Sequence, residues 1–154
     1  MYYDPSEGHG LPHNPFNAIV SPRPIGWIST RSYDGIDNLA PYSFFNAVAY
    51  TPPQVMFSAT SSKVDQAGTK DTVANIRETG VFCVNIVSEQ QISVMNKSSK
   101  ALSKEIDEFE FSGINKQECT AINCPLVAGG PAALECKLKE IIKLSGEANF
   151  AVVG

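Results

Sequence analysis

The side chains of this chain that could do chemistry are small hydroxyls and amides beside a few cations. Lys70 and Thr72 flank Asp71 at the predicted start of a short helix. A lysine and a hydroxyl placed there can bind an anion, because the free N–H groups and the dipole of a helix N-terminus favour negative charge. Asp71 offers an alternative, since its carboxylate can cap the helix itself. Arg31 is a second candidate cation for an anionic ligand.

Further candidates lie between residues 22 and 58, where hydroxyl and amide side chains follow strand-like runs. Ser29 and Thr30 end one run, where side chains reach a barrel mouth, although they can also be simple edge hydroxyls. Asn38 can contact a polar ligand or serve as an ordinary turn residue. Trp27 can flank a ligand or fill the core, as a tryptophan in an apolar strand commonly does.

Motifs for several other chemistries are absent from the sequence. The chain has no P-loop, GxGxxG, HExxH or GxSxG pattern, and both of its histidines, His9 and His13, lie in a polar N-terminal stretch. The predicted core therefore has no histidine for a Ser–His or Cys–His pair. This pattern argues against hydrolase and kinase chemistry, and we predict no catalytic side chain and no metal site.

The four cysteines form no CxxC pair. Cys83 and Cys136 lie in apolar strand-like runs, where cysteine usually acts as a small buried hydrophobe. Cys119 and Cys124 could form a disulfide or a metal pair, but with only two histidines a zinc site is disfavoured. Reduced thiols in a cytoplasmic protein are the favoured interpretation.

Composition places the chain among globular proteins. It has 154 residues, of which 43% are apolar and 18% are charged, with a net charge of −4. Without a long basic run we expect no nucleic-acid groove, and without an apolar run of about 18 residues we expect no membrane span. Residues 1–15 lack the pattern of a secretory signal and are predicted to be a loose lead-in to one domain over 16–154.

Strand-like apolar runs and turn-forming residues predict mostly β-structure. A hairpin is expected from Pro24–Arg31, a turn at Tyr33-Asp34-Gly35 and a return over 38–45, because Asp-Gly between strand-like runs is a strong hairpin signal. Further strands are expected at 16–21, 54–59 and 81–87, whereas 131–144 fits a strand or a helix face.

Helices are predicted to be few and short. One is expected to begin at a cap formed by Asp71 or Thr72, with Val73 and Ile76 inward and Gly80 past its end. Ser88 and Gln91 form a capping box for another, with Ile92 and Met95 inward, and 103–108 suggests a further turn. Many strands without regular β-α-β alternation predict a mainly β, antiparallel barrel with two or three short helices.

Six stretches resemble, in order and spacing, the flavin reductase-like family of FMN-binding split-barrel proteins. They are PRPIGWIST, NLAPYSFFN, TPPQVMFS, KDTVANI, VFCVNIV and GPAALECKL, and they cover roughly residues 14 to 150. The resemblance implies a Greek-key split barrel and favours a strand over 131–144. It also implies a homodimer that binds FMN, or FAD as an alternative, near the subunit interface.

The resemblance further implies that NADH or NADPH reduces the flavin. Reduced flavin would pass to a partner oxygenase, or electrons to another acceptor. Two alternatives stay open: a non-enzymatic FMN electron carrier, and a scaffold that has lost flavin. The flavin's N5 accepts the hydride, so the protein needs to supply position, electrostatics and solvent exclusion.

The family stretches also imply a set of contacts. Asn38, Ala40, Pro41 and Ser43 would run beside the flavin, and Ser58 and Ser61 would approach its phosphate and ribityl chain. Tyr42, Phe44 and Phe45 are expected in the core or dimer interface. The predicted cofactor contacts are Trp27, Ser29, Thr30, Asn38, Ala40, Pro41, Ser43, Ser58, Ser61, Lys70, Asp71 and Thr72.

The C-terminal stretch 148–154 looks like a strand that is cut short. Members of the family continue for tens of residues, with a further strand that helps to complete the barrel or dimer. The resemblance therefore suggests a truncated form, or one that closes its barrel differently.

Overall fold

The computed structural model describes residues 2–63 and 68–154 and is built mainly of antiparallel strands. Residues 64–67, part of the loop predicted over 61–70, lie outside the described residues. The strands in this part of the chain are β1 Gly26–Arg31, β2 Asp37–Tyr42, β3 Phe45–Tyr50, β4 Pro53–Ala59, β5 Val81–Asn85, β6 Lys116–Glu118, β7 Pro125–Val127, β8 Ala133–Lys137, β9 Glu140–Lys143 and β10 Phe150–Val153. The helices are α1 Pro15–Ile19, α2 Asp71–Thr79, α3 Ile92–Ser98 and α4 Glu108–Ser112, with a 3₁₀ turn at Glu89–Gln91.

Two four-stranded sheets form a split barrel, as the sequence predicts. Their strand orders are β2-β1-β5-β8 and β3-β4-β10-β9. The chain crosses between the sheets at Ser43-Phe44, where Ser58 N–H donates to the Phe44 carbonyl over 2.8 Å, and again at Leu138-Lys139. A small third sheet pairs β6 with β7. No helix in the described ranges is long and apolar enough to cross a membrane.

Strand β1 is buried on both faces, because neighbouring side chains on a strand point in opposite directions. Ile28 packs inside the barrel with Phe57 and Phe82, whereas Trp27 packs outside it with Leu39 and Phe109. Helices α3 and α4 cover this outer face, since Val94, Met95 and Phe109 belong to the same cluster. The strand that begins the predicted hairpin is thus a central element.

The β1–β2 hairpin is confirmed, together with its turn. Ser32 N–H donates to the Ile36 carbonyl over 2.8 Å, and Gly35 N–H donates to the Ser32 carbonyl over 3.0 Å. Gly35 has a φ of 85°, a left-handed conformation that glycine adopts without steric cost. Arg31 and Asp37 close the hairpin with an ion pair of 2.6 Å.

Helix α2 lies where it is predicted, although its first residue is different. Val73 and Ile76 are fully buried, and Gly80 ends the helix in the left-handed region. The N-cap is Lys70 rather than Asp71 or Thr72, and no side-chain hydrogen bond caps this end. The helix therefore begins without the carboxylate cap that was the alternative to an anion site.

Two expectations about local structure need correction. Residues 16–21 were expected to be a strand, but Pro15 at the first turn and the Asn14 side chain, which accepts from Phe16 N–H, start helix α1 instead. Ile92 is 47% exposed, because the Ser88–Gln91 capping box opens a 3₁₀ turn before α3 begins. The turn expected over 103–108 is present, because Ile106 N–H donates to the Ser103 carbonyl over 3.0 Å, and helix α4 follows it from Glu108. The ambiguous region 131–144 is strand, as β8 and β9.

Candidate functional site

A small polar cavity of ≈ 90 Å³ lies between strand β2, the start of helix α2 and the segment that follows α3. Its lining carries three lysines and several hydroxyls around two buried acids. The lining residues are Asn38, Ala40, Tyr42, Lys63, Lys70, Asp71, Thr72, Ser98, Ser99, Lys100, Ala101, Leu102 and Glu108.

Lys70 is the cation that is most available to a ligand. It is half-buried, and among the described residues it has no acidic partner, whereas the Lys63 ammonium is paired with the Asp71 carboxylate. Burial lowers the pKa of Lys70, because desolvation disfavours its charged form. Its ammonium lies 5.6 Å from the centre of the Tyr42 ring. An anion in the cavity would supply the negative partner that this ammonium lacks among the described residues.

Two buried polar atoms in the cavity wall lack hydrogen-bond partners within the described ranges: the Tyr42 hydroxyl and Asp71 Oδ1. Tyr42 is 4% exposed, and its hydroxyl lies close to Thr72 without meeting hydrogen-bond geometry. Burial raises the pKa of this phenol, so Tyr42 stays a proton donor at neutral pH. Because an unpaired buried group is costly, the Tyr42 hydroxyl points to a ligand that accepts a hydrogen bond, whereas Asp71 Oδ1 would need a donor.

Asn38 is the centre of the polar network behind the cavity. Its Oδ1 accepts from Thr72 Oγ1 over 2.7 Å and from Thr30 Oγ1 over 3.3 Å, and its Nδ2 donates to Glu108 Oε2 over 3.0 Å. Asn75 extends the network, because its Nδ2 donates to Thr30 Oγ1 over 3.0 Å. These bonds occupy both the oxygen and the nitrogen of the Asn38 amide. Asn38 therefore holds its partner side chains in position.

Glu108 is held in the cavity wall by helix α4. The Asp107 carboxylate caps this helix by accepting from Phe109 N–H over 2.7 Å, and Lys116 pairs with both Asp107 and Asp37. Glu108 Oε2 also accepts from Leu39 N–H over 3.2 Å. Burial raises the pKa of Glu108 to about 7.

The structure brings together five of the predicted contacts in one cavity wall: Asn38, Ala40, Lys70, Asp71 and Thr72. Two others support this wall from behind. Trp27 Nε1 donates to Ser98 Oγ over 2.9 Å, and Thr30 is bonded to Asn38. For these seven residues contact with a flavin stays a prediction.

The other five predicted contacts lie outside this cavity. Ser29 Oγ donates to the Pro125 carbonyl over 2.6 Å, and the Ser43 carbonyl accepts from Arg23. Pro41 is half-buried in β2, Ser58 is half-buried in β4, and Ser61 is exposed with a φ of 69°. Arg31, the second candidate cation, is bonded to Asp37 and Glu118. Whether the five contact a flavin elsewhere stays a prediction.

Sequence reasoning missed three parts of the site. Tyr42 was expected in the core or dimer interface, and its ring packs in the core, but the residue also lines the cavity. Glu108 was expected only as the end of a turn over 103–108, and Ser98–Leu102 carry no motif. Residues Glu108 to Phe111 lie in helix α4.

The four cysteines are free thiols in the structure. Cys83 and Cys136 are buried, as predicted, and the pKa of each is raised mainly by burial. Cys119 and Cys124 face each other beyond the β6–β7 ladder, where Cys119 N–H donates to the Cys124 carbonyl over 2.9 Å.

A cation beside a helix N-terminus is a combination that can bind an anion. The cavity, at ≈ 90 Å³, is smaller than the roughly 300–1,000 Å³ of sites for drug-sized ligands, so it could take only a small part of such a ligand. Residues 20–153 match the model of the flavin reductase like domain. The chain belongs to the flavin reductase-like family.

Relatives and solved structures agree with this assignment. An uncharacterized protein of Aquifex aeolicus is 40% identical over 124 residues, which are 80% of this chain and 62% of that protein. The reductase subunit HsaB of a flavin-dependent monooxygenase of Rhodococcus jostii is 30% identical over 69% of this chain and 50% of its own length. Nitrilotriacetate monooxygenase component B of Bacillus cereus superposes with a TM-score of 0.87 and 28% identity, covering 100% of this chain and 77% of that one.

Proposed function

We propose that this chain binds FMN with the phosphate in the cavity beside Lys70. The half-buried ammonium of Lys70, which has no acidic partner in the described part of the chain, is the observation that carries the proposal. The start of helix α2 adds its dipole, and Lys100 adds positive charge to the same wall. FAD is an alternative ligand with the same phosphate chemistry.

Different side chains of the cavity wall would contact different parts of FMN. Lys70 would pair with a phosphate oxygen, and the Tyr42 hydroxyl would donate to an oxygen of the phosphate or ribityl chain. Thr72 would accept rather than donate, because its proton is already given to Asn38. The bound flavin supplies hydride chemistry.

We propose that the activity is oxidation of NADH or NADPH with transfer of reduced flavin to a partner oxygenase, or of electrons to another acceptor. Support comes from family membership, from a relative that is named as the reductase subunit of a flavin-dependent monooxygenase, and from the solved structure of a monooxygenase component. The chain spans 62%, 60% and 57% of the length of three curated relatives, so the activity of the whole protein stays a proposal.

A homodimer and a cytoplasmic location also stay proposals. The outer strand β3 supports the first, because its residues from Asn46 to Tyr50 are exposed and include the apolar side chains of Val48 and Tyr50. Apolar side chains on an exposed strand commonly mark a contact surface. Size-exclusion chromatography with light scattering tests this, since the Val48→Lys variant should shift a dimer to monomer.

The visible absorption spectrum tests the activity. We expect a flavin band to stay with the purified chain after FMN is added and unbound FMN is removed, and bleaching of that band on adding NADH or NADPH. A band that dithionite bleaches but neither nucleotide bleaches would replace the reductase with an electron carrier. The absence of any band would contradict flavin binding.

A further inference from the structure

Glu108 is a buried carboxyl in the wall of the proposed phosphate cavity. It is 4% exposed, and its Oε2 accepts from Asn38 Nδ2 over 3.0 Å and from Leu39 N–H over 3.2 Å. Both donors are neutral, and Glu108 forms no ion pair within the described ranges. Because burial penalises a charge that has no counterion, this carboxyl is poised between its charged and neutral forms.

Charged groups on every neighbouring element lie around Glu108. The nearest cations are paired with other carboxylates or line the cavity. Lys116 pairs with Asp107 and Asp37, and Lys63 pairs with Asp71. The charged or titratable groups around Glu108 are Lys63, Lys70, Asp71, Lys100 and Tyr42 on the cavity wall, Asp37 with Arg31 and Lys116 beside β2, and Asp107 and Glu110 on α4.

A phosphate that enters this cavity brings a charge of about −1.5 to −2 next to the carboxyl. Two anions in one small buried space repel each other strongly. This repulsion is removed at the lowest cost in free energy when the weaker acid takes up a proton. The proton would reside on Glu108 Oε1, because Oε2 already accepts two hydrogen bonds. A neutral Glu108 keeps both of these bonds, so the network through Asn38 to Thr72 survives protonation.

We propose that binding of the flavin phosphate is coupled to uptake of one proton by Glu108, which acts as a positioning residue that links cofactor affinity to pH. The inference rests on the proposed function, since it concerns the same cavity. FMN affinity is then insensitive to pH while Glu108 is already protonated in the free protein. It falls as pH rises further, approaching tenfold for each pH unit.

The pKa of Glu108 in the ligand-free protein, raised by burial to about 7, places this change near neutral pH. Below that value both the free and the bound protein carry the proton, so binding takes up none. Above it the free protein has lost the proton and must regain it on binding. Proton uptake should therefore grow from near zero to near one as pH rises through neutrality.

Isothermal titration calorimetry measures this uptake directly. FMN is titrated into the chain at about pH 8 in two buffers of different ionisation enthalpy, and the difference in heat gives the number of protons taken up. We expect close to one proton for the unaltered chain and close to none for Glu108→Gln, whose side-chain carbonyl can still accept from Asn38 and Leu39. Glu110→Gln is the matched control, because Glu110 is exposed on the same helix, and it should behave like the unaltered chain.

The outcomes separate this inference from the proposed function. FMN binding without proton uptake would overturn the inference alone. Uptake that persists in Glu108→Gln would also overturn it, because the proton would then belong to Lys70 or to the phosphate. Failure of FMN to bind would overturn the proposed function and this inference with it.

Discussion

The Thr72 hydroxyl donates its single proton to Asn38 Oδ1 over 2.7 Å, so Thr72 can offer a ligand only lone pairs. This bond divides the cavity wall into two kinds of group. Lys70 and Tyr42 are donors that suit an anion, whereas Thr72 suits a hydroxyl such as those of a ribityl chain. The wall therefore offers both donors and acceptors, as the proposed binding of a phosphate on a ribityl chain requires.

Replacing Asn38 by Ala should destabilise the fold by about 2–4 kcal/mol, because Thr72, Thr30 and Glu108 would all lose a buried partner. Urea unfolding followed by circular dichroism measures the change. Asn96→Ala, at an exposed position of α3, is the control and should stay within about 0.5 kcal/mol of the unaltered chain. An equally small effect for Asn38→Ala would mean that the network is not formed.

Replacing Tyr42 by Phe should raise the stability of the free chain and weaken its binding of FMN. The free chain should gain about 1 kcal/mol in unfolding free energy, because a buried hydroxyl without a partner is removed. FMN affinity should nevertheless fall by about 5–10-fold, since the ligand loses a donor. Tyr33→Phe, at a residue that is 86% exposed, should change neither quantity. A Tyr42→Phe chain that binds FMN normally would show that the hydroxyl does not contact the ligand.

The pKa of Glu108 predicts how stability depends on pH. The folded pKa of about 7 exceeds the ordinary value of 4.5, so the folded state prefers the proton. The contribution of Glu108 to stability is complete below about pH 4.5 and is lost as pH rises through 7, a change of about 3 kcal/mol. Urea unfolding of Glu108→Gln and of the unaltered chain should diverge between about pH 5 and pH 8, with the variant relatively more stable at the higher pH. Parallel curves would contradict a raised pKa, and Glu110→Gln should give parallel curves.

The sequence predicts the barrel better than the site. The Asp34-Gly35 turn and the buried run around Val84 are local signals, because turn chemistry and burial pattern act within a few residues. Glu108 and Asn38 are 70 residues apart in sequence and become neighbours only when α4 packs on β2. A local pattern cannot show that pairing, and it cannot show that Ser29 bonds to Pro125. Helix α1 was missed because the Asn14 cap and Pro15 outweigh the strand-like composition of 16–21.

Comparing FMN with riboflavin tests the central claim, that Lys70 holds the flavin phosphate. Riboflavin lacks only the phosphate, so its dissociation constant should exceed that of FMN by about 10-fold or more in the unaltered chain. Lys70→Met should weaken FMN by about 1–3 kcal/mol and leave riboflavin nearly unchanged, which removes most of the difference. Lys139→Met, at an exposed position outside the cavity, should preserve it. Equal affinities for FMN and riboflavin, or a difference that survives in Lys70→Met, would contradict the account.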